Sequence, residues 1–285
     1  MSIRNTCLLL VALCTGAALF AGCAPKKAFG PGMDTADAAY TTFRDGYCHA
    51  PAGASVLISG SLYYTRVKPT KRSNRTLIRL WGDFSRPLRL DVAAGMGRML
   101  AHIREDRGGL TAFYPDQKAA YTHMDPVIGA TRLGMPFPFS LRDLALVLGG
   151  SFSELLPYPP VEAVRTATGF EYSFSQGPVT RLKLDGWARP VRMEGATPIK
   201  NHATRGWSID FSRYPDDRTA KAPLPRMLSL ALESGEKGVL RVKNRELKQG
   251  AWPEQKLDLP LPEGTELFRL DARRVITHKT TEEGS

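Results

Sequence analysis

The sequence predicts a mostly β protein: a strongly curved antiparallel sheet or incomplete barrel of about eleven strands, with an N-terminal helix and one buried apolar helix. Three observations predict it. Apolar and polar residues alternate in segment after segment, only turns separate those segments, and the 285 residues include 26 glycines and 21 prolines, which suit short elements. Because all-β units often use about 200 to 250 residues, a single large domain fits this length.

Each predicted strand has one apolar face. Ile78 and Leu80 alternate with Arg79 and Trp81, and Phe170, Tyr172 and Phe174 alternate with polar residues in the same way. The period of two places alternate side chains on opposite faces of a sheet. The pattern recurs along most of the chain, and no alternation of strands with helices interrupts it: Leu88–Val92, Met99–Arg104, Trp207–Ser212, Met227–Glu233 and Leu240–Lys243.

Two helices are predicted. Asp34 is a candidate N-cap for a helix that continues to about Tyr47, since its carboxylate can accept from the free amides of the first turn. The second helix begins after Ser140, which forms a capping-box pattern with Asp143, and it ends at Gly149 and Gly150. Because the second helix is apolar on nearly every side, we expect it to be buried as a lid in the hollow of the curved sheet.

The N-terminus has the pattern of an export signal. Residues 1–22 hold one basic residue, an uncharged apolar stretch and small residues before Cys23, as in secretory signals. The uncharged stretch is shorter than the roughly 20 apolar residues that a membrane-spanning helix needs. Leu19 to Cys23 resembles the bacterial lipobox, which implies lipid attachment at Cys23. By the same resemblance, Ala24 implies sorting to the outer membrane.

Four regions follow from these patterns. They are a signal peptide at 1–22, a lipidated tether at 23–33, the β-rich domain at 34–247, and a Pro-rich extension and tail at 248–285. Removal of the signal and alkylation of Cys23 would leave Cys48 without a partner in its own chain. We therefore expect no internal disulfide and a buried Cys48, with an intermolecular bridge as the alternative.

Catalytic signatures are absent from the sequence. It contains no nucleotide-binding loop, no Gly-x-Ser-x-Gly and no His-Glu-x-x-His, and its five histidines do not have the spacing of metal ligands. We expect neither an enzyme nor a cofactor nor a bound metal. A site assembled from distant residues would escape this search and stays open.

The basic charge is concentrated in one region. The whole chain has a net charge of +11, and the segment from Arg66 to Arg89 holds eight basic residues against one acid, Asp83. For an exported protein, anionic lipid headgroups are a more fitting partner than nucleic acid. The alternative is a hydrated outer face of the sheet with a basic hairpin loop.

The order of these elements resembles the LolA/LolB-like proteins of bacterial lipoprotein sorting, and the LolB branch more closely. The resemblance covers about residues 34–247 and includes the stretch from Arg79 to Val92. It implies an incomplete barrel around an apolar cavity for the acyl chains of lipoproteins or phospholipids. It also implies a monomer that receives cargo from a LolA-like periplasmic carrier. The candidate cavity and lid residues are apolar and expected to point inward: Leu80, Phe84, Leu90, Leu141, Leu144, Leu148, Phe174, Trp207 and Ile209.

One turn carries a further implication of this resemblance. The family has an exposed apolar residue in the loop after its third strand, which is implicated in membrane insertion of cargo. Gly95, Met96 and Gly97 occupy that position here. A flexible apolar side chain between glycines could enter a bilayer; the alternative is a tight turn in which Met96 packs sideways.

Together, these observations predict an outer-membrane-anchored lipoprotein that binds acyl chains in an apolar cavity and transfers lipoproteins or lipids without covalent chemistry. The alternative is an envelope assembly or scaffold lipoprotein of the same fold whose own side chains fill the hollow. An envelope enzyme is the third hypothesis.

Overall fold

The computed structural model describes residues 29–271 except 86, 136, 138, 199–203 and 216–221. The expected signal peptide, Cys23 and the final residues 272–285 lie outside the described residues. Within the described ranges, no helix is both long and apolar enough to cross a bilayer.

One continuous sheet of 14 strands organises the described chain, compared with the eleven or so that the sequence predicts. It is a curved, unclosed sheet. The strands are β1 Ser55–Arg66, β2 Arg72–Asp83, β3 Leu88–Ala93, β4 Met99–Asp106, β5 Gly109–Tyr114, β6 Ala119–His123, β7 Glu162–Thr166, β8 Gly169–Ser173, β9 Val179–Asp185, β10 Pro190–Pro198, β11 Thr204–Ser212, β12 Met227–Leu232, β13 Lys237–Lys248 and β14 Glu266–Arg269.

The sheet consists of two meanders joined at its centre. Strands β1 to β6 form one half and β7 to β13 the other, and β13 pairs with β1. All described neighbours are antiparallel except β14, which runs parallel to β6. The mostly β, antiparallel class predicted from the alternation is therefore confirmed. Most links within the meanders are short turns, and the longest, between β11 and β12, spans residues 213–226; antiparallel neighbours need no crossover helices.

Helix α1, Ala36–Tyr47, lies on the inner face near β7 and β8. Its N-cap is Thr35, whose hydroxyl accepts from the amide of Ala38 at 3.2 Å, so the assignment of the cap to Asp34 is wrong. The helix begins one residue later than Asp34 would require, and Thr35 is the residue whose side chain reaches the third amide of the first turn. A tyrosine hydroxyl fixes the helix, as Tyr172 donates to the carbonyl of Ala36 at 2.7 Å.

Two further helices lie between the meanders. Helix α2, Pro126–Arg132, is short and was not predicted; Asp125 caps it and proline occupies its first turn. Helix α3, Leu141–Gly149, has the predicted capping box of Ser140 with Asp143, and Gly150 ends it in the left-handed conformation (φ 89°). As predicted, α3 is buried on nearly every side.

The C-terminal extension is bound to the outer face of the sheet. The amide of Trp252 donates to Asp83 Oδ1 at 2.9 Å, and Arg104 Nε donates to the carbonyl of Leu257 at 3.0 Å. Leu257, at the end of the short helix α4, Glu254–Leu257, is 1% exposed. The extension then continues to β14. Residues 252–258 therefore lie against the outside of β1 to β4, whereas β14 extends the sheet at its β6 edge.

Candidate functional site

An apolar cavity of about 270 Å³ lies between the inner face of strands β1 to β5 and the segment from Leu133 to Leu144. The strands supply one wall, and the chain between α2 and α3 supplies the other. The lining residues are Leu62, Tyr64, Asn74, Thr76, Ile78, Leu90, Val92, Leu100, Ala101, Ile103, Tyr114, Leu133, Gly134, Met135, Phe137, Phe139, Leu141 and Leu144.

The cavity has a closed end and a mouth. Ile103, Leu141 and Leu144 are buried at the closed end. Asn74 and Gly134 also line the cavity but are exposed, so solvent reaches the cavity between them. Asn74 lies near the β1–β2 hairpin, opposite Tyr64 in the strand register, and the mouth therefore opens at that end of the sheet.

The wall offers an apolar ligand almost nothing but hydrocarbon. Among the described residues, no charged side chain lines the cavity; the polar groups in this wall are Asn74, Thr76 and the hydroxyls of Tyr64 and Tyr114. Burial raises the pKa of Tyr64 and of Tyr114, so both phenols stay neutral at physiological pH. A wall of this kind can remove a hydrocarbon chain from water, and its described residues include no Asp, Glu, His, Lys or Cys side chain.

A smaller hollow of about 50 Å³ adjoins the mouth. It shares Tyr64, Gly134, Met135 and Phe137 with the main cavity, and its remaining wall is more polar: Thr131, Thr197, Arg205, Leu232 and Glu236. The two charged groups lie beside the mouth rather than inside the apolar cavity. The site is thus apolar within and polar at its entrance, the arrangement that suits an amphipathic molecule.

The residues proposed from the sequence fall into two groups. Leu90, Leu141 and Leu144 line the cavity. The remaining six are buried in the hydrophobic core, away from the cavity wall: Leu80, Phe84, Leu148, Phe174, Trp207 and Ile209. All nine are buried, but only Leu90, Leu141 and Leu144 border the cavity.

Sequence reasoning missed the entrance to the cavity. Leu133, Met135 and Phe137 follow α2 and form the wall opposite the strands. The Pro-Phe-Pro-Phe sequence before Ser140 is a local signal for an irregular apolar segment, because its apolar residues alternate with prolines that exclude a regular helix or central strand. Nothing in that sequence shows which strands the segment packs against.

Helix α3 is held firmly as the closed end of the cavity. The amide of Leu141 donates to Glu105 Oε2 at 2.5 Å, and Arg142 Nε donates to the carbonyl of Phe84 at 2.7 Å. Arg142 also pairs with Glu154, and this hydrogen bond raises the pKa of Arg142. The helix predicted as a lid therefore lies at the inner end of the cavity, while the mouth lies beside Gly134.

The turn between β3 and β4 displays Met96 in full. The amide of Ala94 donates to the carbonyl of Arg98 at 2.8 Å, and Gly97 closes the turn by donating to Ala94 at 2.9 Å. Gly97 adopts a positive φ of 82°, which glycine allows without strain. Met96 is 101% exposed, so in this structure its side chain does not pack sideways against the turn.

Cys48 is not among the residues that line the cavity. Cys48 is a free, buried thiol at the end of α1, and burial raises its pKa to about 11. In the parts of the chain that the structure describes, no group of three His, Cys, Asp or Glu side chains could hold a metal ion.

The fold and the cavity define an open antiparallel half-barrel with an apolar interior, and solved structures share this fold. A LolA superfamily protein from Nitrosomonas europaea superposes with a TM-score of 0.50 at 12% identity, over 79% of this chain and 98% of that one. The chain therefore has a LolA-like fold.

Two further structures are more distant. A domain assigned to outer membrane lipoprotein sorting, from Vibrio parahaemolyticus, has a TM-score of 0.47 at 11% identity and covers 80% of this chain and 96% of its own. A DUF1329 family protein from Desulfovibrio piger has a TM-score of 0.48 at 10% identity, covering 78% and 96%. No protein-family model and no curated protein matches the sequence. The likeness is one of fold alone.

Proposed function

We propose that this protein is a non-enzymatic lipid carrier of the bacterial cell envelope. In this proposal it takes an acyl chain of a lipoprotein or phospholipid into the cavity between β1–β5 and the Leu133–Leu144 segment. The observation that carries the proposal is an apolar cavity of about 270 Å³ whose described wall residues are all uncharged, with a polar entrance. The LolA-like fold supports it, since a solved structure of the LolA superfamily shares this fold.

The size of the cavity limits its load. It has nearly twice the volume of a cavity of about 150 Å³ that holds one benzene ring, so it accommodates on the order of ten methylene groups. One acyl chain, inserted for much of its length, fills this space. A cargo with several acyl chains would have to widen the cavity or leave some chains outside it.

The remaining parts of the proposal concern place and handover. Lipid attachment at Cys23 would hold the protein on the outer membrane, facing the periplasm, because more than one acyl chain anchors a protein stably. A LolA-like periplasmic carrier would then deliver the cargo. Met96, fully exposed in its glycine-flanked turn, would contact the bilayer during insertion. The proposed carrier works as a monomer.

Native mass spectrometry of the chain from residue 24 onward tests the cavity, since this chain keeps every described residue. We expect one co-purified lipid or fatty acid per chain. Ala101 lines the cavity, and Ala101→Phe should fill part of it and reduce the bound lipid at least fivefold. Val164→Phe adds similar bulk at an exposed position of β7 and should change nothing. A lipid-free wild-type chain, or equal loading of both variants, would contradict the proposal and favour a scaffold role.

A further inference from the structure

Several functional features meet at one end of the sheet. Adjacent antiparallel strands alternate in direction, so the β1–β2, β3–β4 and β12–β13 turns all lie at the same end. The mouth of the cavity is there too, because Asn74 and Tyr64 face each other just below the β1–β2 turn. Met96 occupies the tip of the β3–β4 turn. We call this end the mouth end.

The β1–β2 hairpin makes the mouth end strongly basic. Residues 66–75 include five basic residues and no acidic one. All five side chains are exposed: Arg66, Lys68, Lys71, Arg72 and Arg75. In the described chain none of the five forms an ion pair. By contrast, many basic residues elsewhere pair with carboxylates, such as Arg142 with Glu154 and Arg192 with Asp210.

An aromatic side chain adds to this surface. Tyr63, on the outer face beside the hairpin, is 37% exposed. The guanidinium of Arg75 lies 5.5 Å from its ring centroid and that of Arg241 lies 5.0 Å from it. Tyrosine and arginine together suit the boundary between water and a bilayer, since each has a long apolar part and a polar tip.

We propose that the mouth end is a docking surface for an anionic phospholipid bilayer. Unpaired basic side chains are attracted to anionic headgroups, and the fully exposed Met96 supplies an apolar group that can enter between them. A bilayer presents both anionic headgroups and acyl chains, and the mouth end displays a complement to each. Docking in this orientation holds the cavity entrance against the membrane and shortens the path of an acyl chain through water.

This inference deepens the proposed carrier function by giving the cavity an orientation, but docking is measured without cargo. The chain from residue 24 onward is mixed with vesicles of phosphatidylcholine alone or with about a third phosphatidylglycerol, and bound protein is measured by sedimentation. We expect binding to the anionic vesicles only, weakening as salt is raised.

Charge reversal locates the surface. The triple variant Lys68→Glu, Lys71→Glu, Arg72→Glu should lower the partition coefficient on anionic vesicles on the order of a hundredfold or more, given the usual gain per basic residue. The matched control is Arg107→Glu, Arg226→Glu, Lys256→Glu, which makes the same charge change at exposed positions away from the mouth end. It should lower binding severalfold at most. Circular dichroism confirms that both variants fold.

Met96→Gln separates the apolar contribution from the charge. We expect weaker binding to anionic vesicles for Met96→Gln than for wild type, because glutamine removes the apolar group without changing the net charge. Met96→Asp should bind more weakly still, because aspartate adds a charge that the anionic bilayer repels. Three outcomes would overturn the docking surface. They are equal binding of the wild type to neutral and anionic vesicles, equal loss of vesicle binding in the two triple variants, and binding to heparin without binding to vesicles. Vesicle binding by a chain that never holds lipid would retain docking and contradict only the carrier function.

Discussion

The two halves of the interior are filled in different ways. In the half formed by α1 and strands β8 to β11, aromatic rings pack directly on one another: Tyr40 lies 5.1 Å from Tyr172, and Phe152 lies 5.9 Å from Phe43 and 5.6 Å from Phe211 between ring centroids. In the half formed by β1 to β5, mostly aliphatic side chains line the cavity of about 270 Å³. Going by the described residues, we call the first the solid half, because rings pack on one another there, and the second the hollow half, because it borders the cavity.

The helices explain this difference. Helix α1 inserts Phe43 and Tyr47 into the aromatic half, where both are buried. On the other side, α3 covers only the closed end, and the Leu133–Phe139 segment spans the remaining width. We infer that the aromatic half supplies the stability of the fold, and that this stability allows the aliphatic half to keep its empty space.

The largest expected effect is the loss of an aromatic ring from the solid half. Phe43→Ala should lower the free energy of unfolding by about 3 to 5 kcal/mol, because a completely buried side chain is removed from a tightly packed cluster. Leu144→Ala, at the cavity wall, should cost about 2 to 3 kcal/mol, since one side of Leu144 already faces empty space. Urea unfolding measures both; a Leu144→Ala variant as unstable as Phe43→Ala would contradict the comparison.

A larger side chain should lower the stability of the protein when it is added to the solid half but not when it is added beside the cavity. Ala39 is completely buried on α1, so Ala39→Leu should overpack the solid half and lower the free energy of unfolding by about 1 to 3 kcal/mol. Ala101→Leu extends into the cavity and should change stability by less than about 0.5 kcal/mol. Denaturant midpoints compare the two variants. If Ala101→Leu destabilised the protein as much as Ala39→Leu, the cavity would have no free space for the added side chain in solution.

The helix caps provide a smaller contrast. Ser140→Ala removes the two hydrogen bonds of the Ser140 hydroxyl, which accepts from the amide of Asp143 and donates to its carboxylate, and should cost about 1 to 2 kcal/mol of unfolding free energy. Thr35→Ala removes one exposed cap at α1 and should cost about 0.5 to 1 kcal/mol. If Ser140→Ala also lowers lipid loading while Thr35→Ala does not, α3 positions the closed end of the cavity as described.

At neutral pH, the smallest expected effect on stability concerns Cys48, in the solid half. Burial raises the pKa of this thiol from 9.0 to about 11, so at pH 8 the thiolate fraction falls on the order of a hundredfold. A thiol reagent should therefore react with the native protein at least a hundredfold more slowly than with the urea-unfolded protein. Since the folded pKa is the higher one, this contribution to stability is complete below pH 9 and is lost as the pH rises to 11. Rapid labelling of native protein at pH 8 would contradict the burial of Cys48.

The sequence predicted the faces of the sheet well. Leu80, Leu90, Phe174, Trp207 and Ile209 all point inward, because strand alternation depends only on near neighbours in the chain. The capping box of α3 was also predictable, since Ser140 and Asp143 lie within one turn. The cap of α1 was placed one residue early, because Asp34 and Thr35 are both good caps and only the backbone angles choose between them.

The C-terminal extension was less predictable. Its prolines identified it as irregular, but its contacts are made by atoms far away in the chain, such as the bonds of Arg104 to Leu257 and of Asp83 to Trp252. The burial of Leu257 on the outer face follows from those contacts. No local pattern carries this information.

By itself, the sequence determined which side chains are turned away from water, because periodicity and capping are properties of neighbouring residues. Only the tertiary structure decided where the interior stays empty. An internal space is the volume left over when separate elements meet. Leu90 therefore borders the cavity, while Leu80 on the neighbouring strand β2 is buried in the hydrophobic core away from the cavity wall. The same physics placed the mouth, Met96 and the basic hairpin at one end, since only strand pairing brings them together.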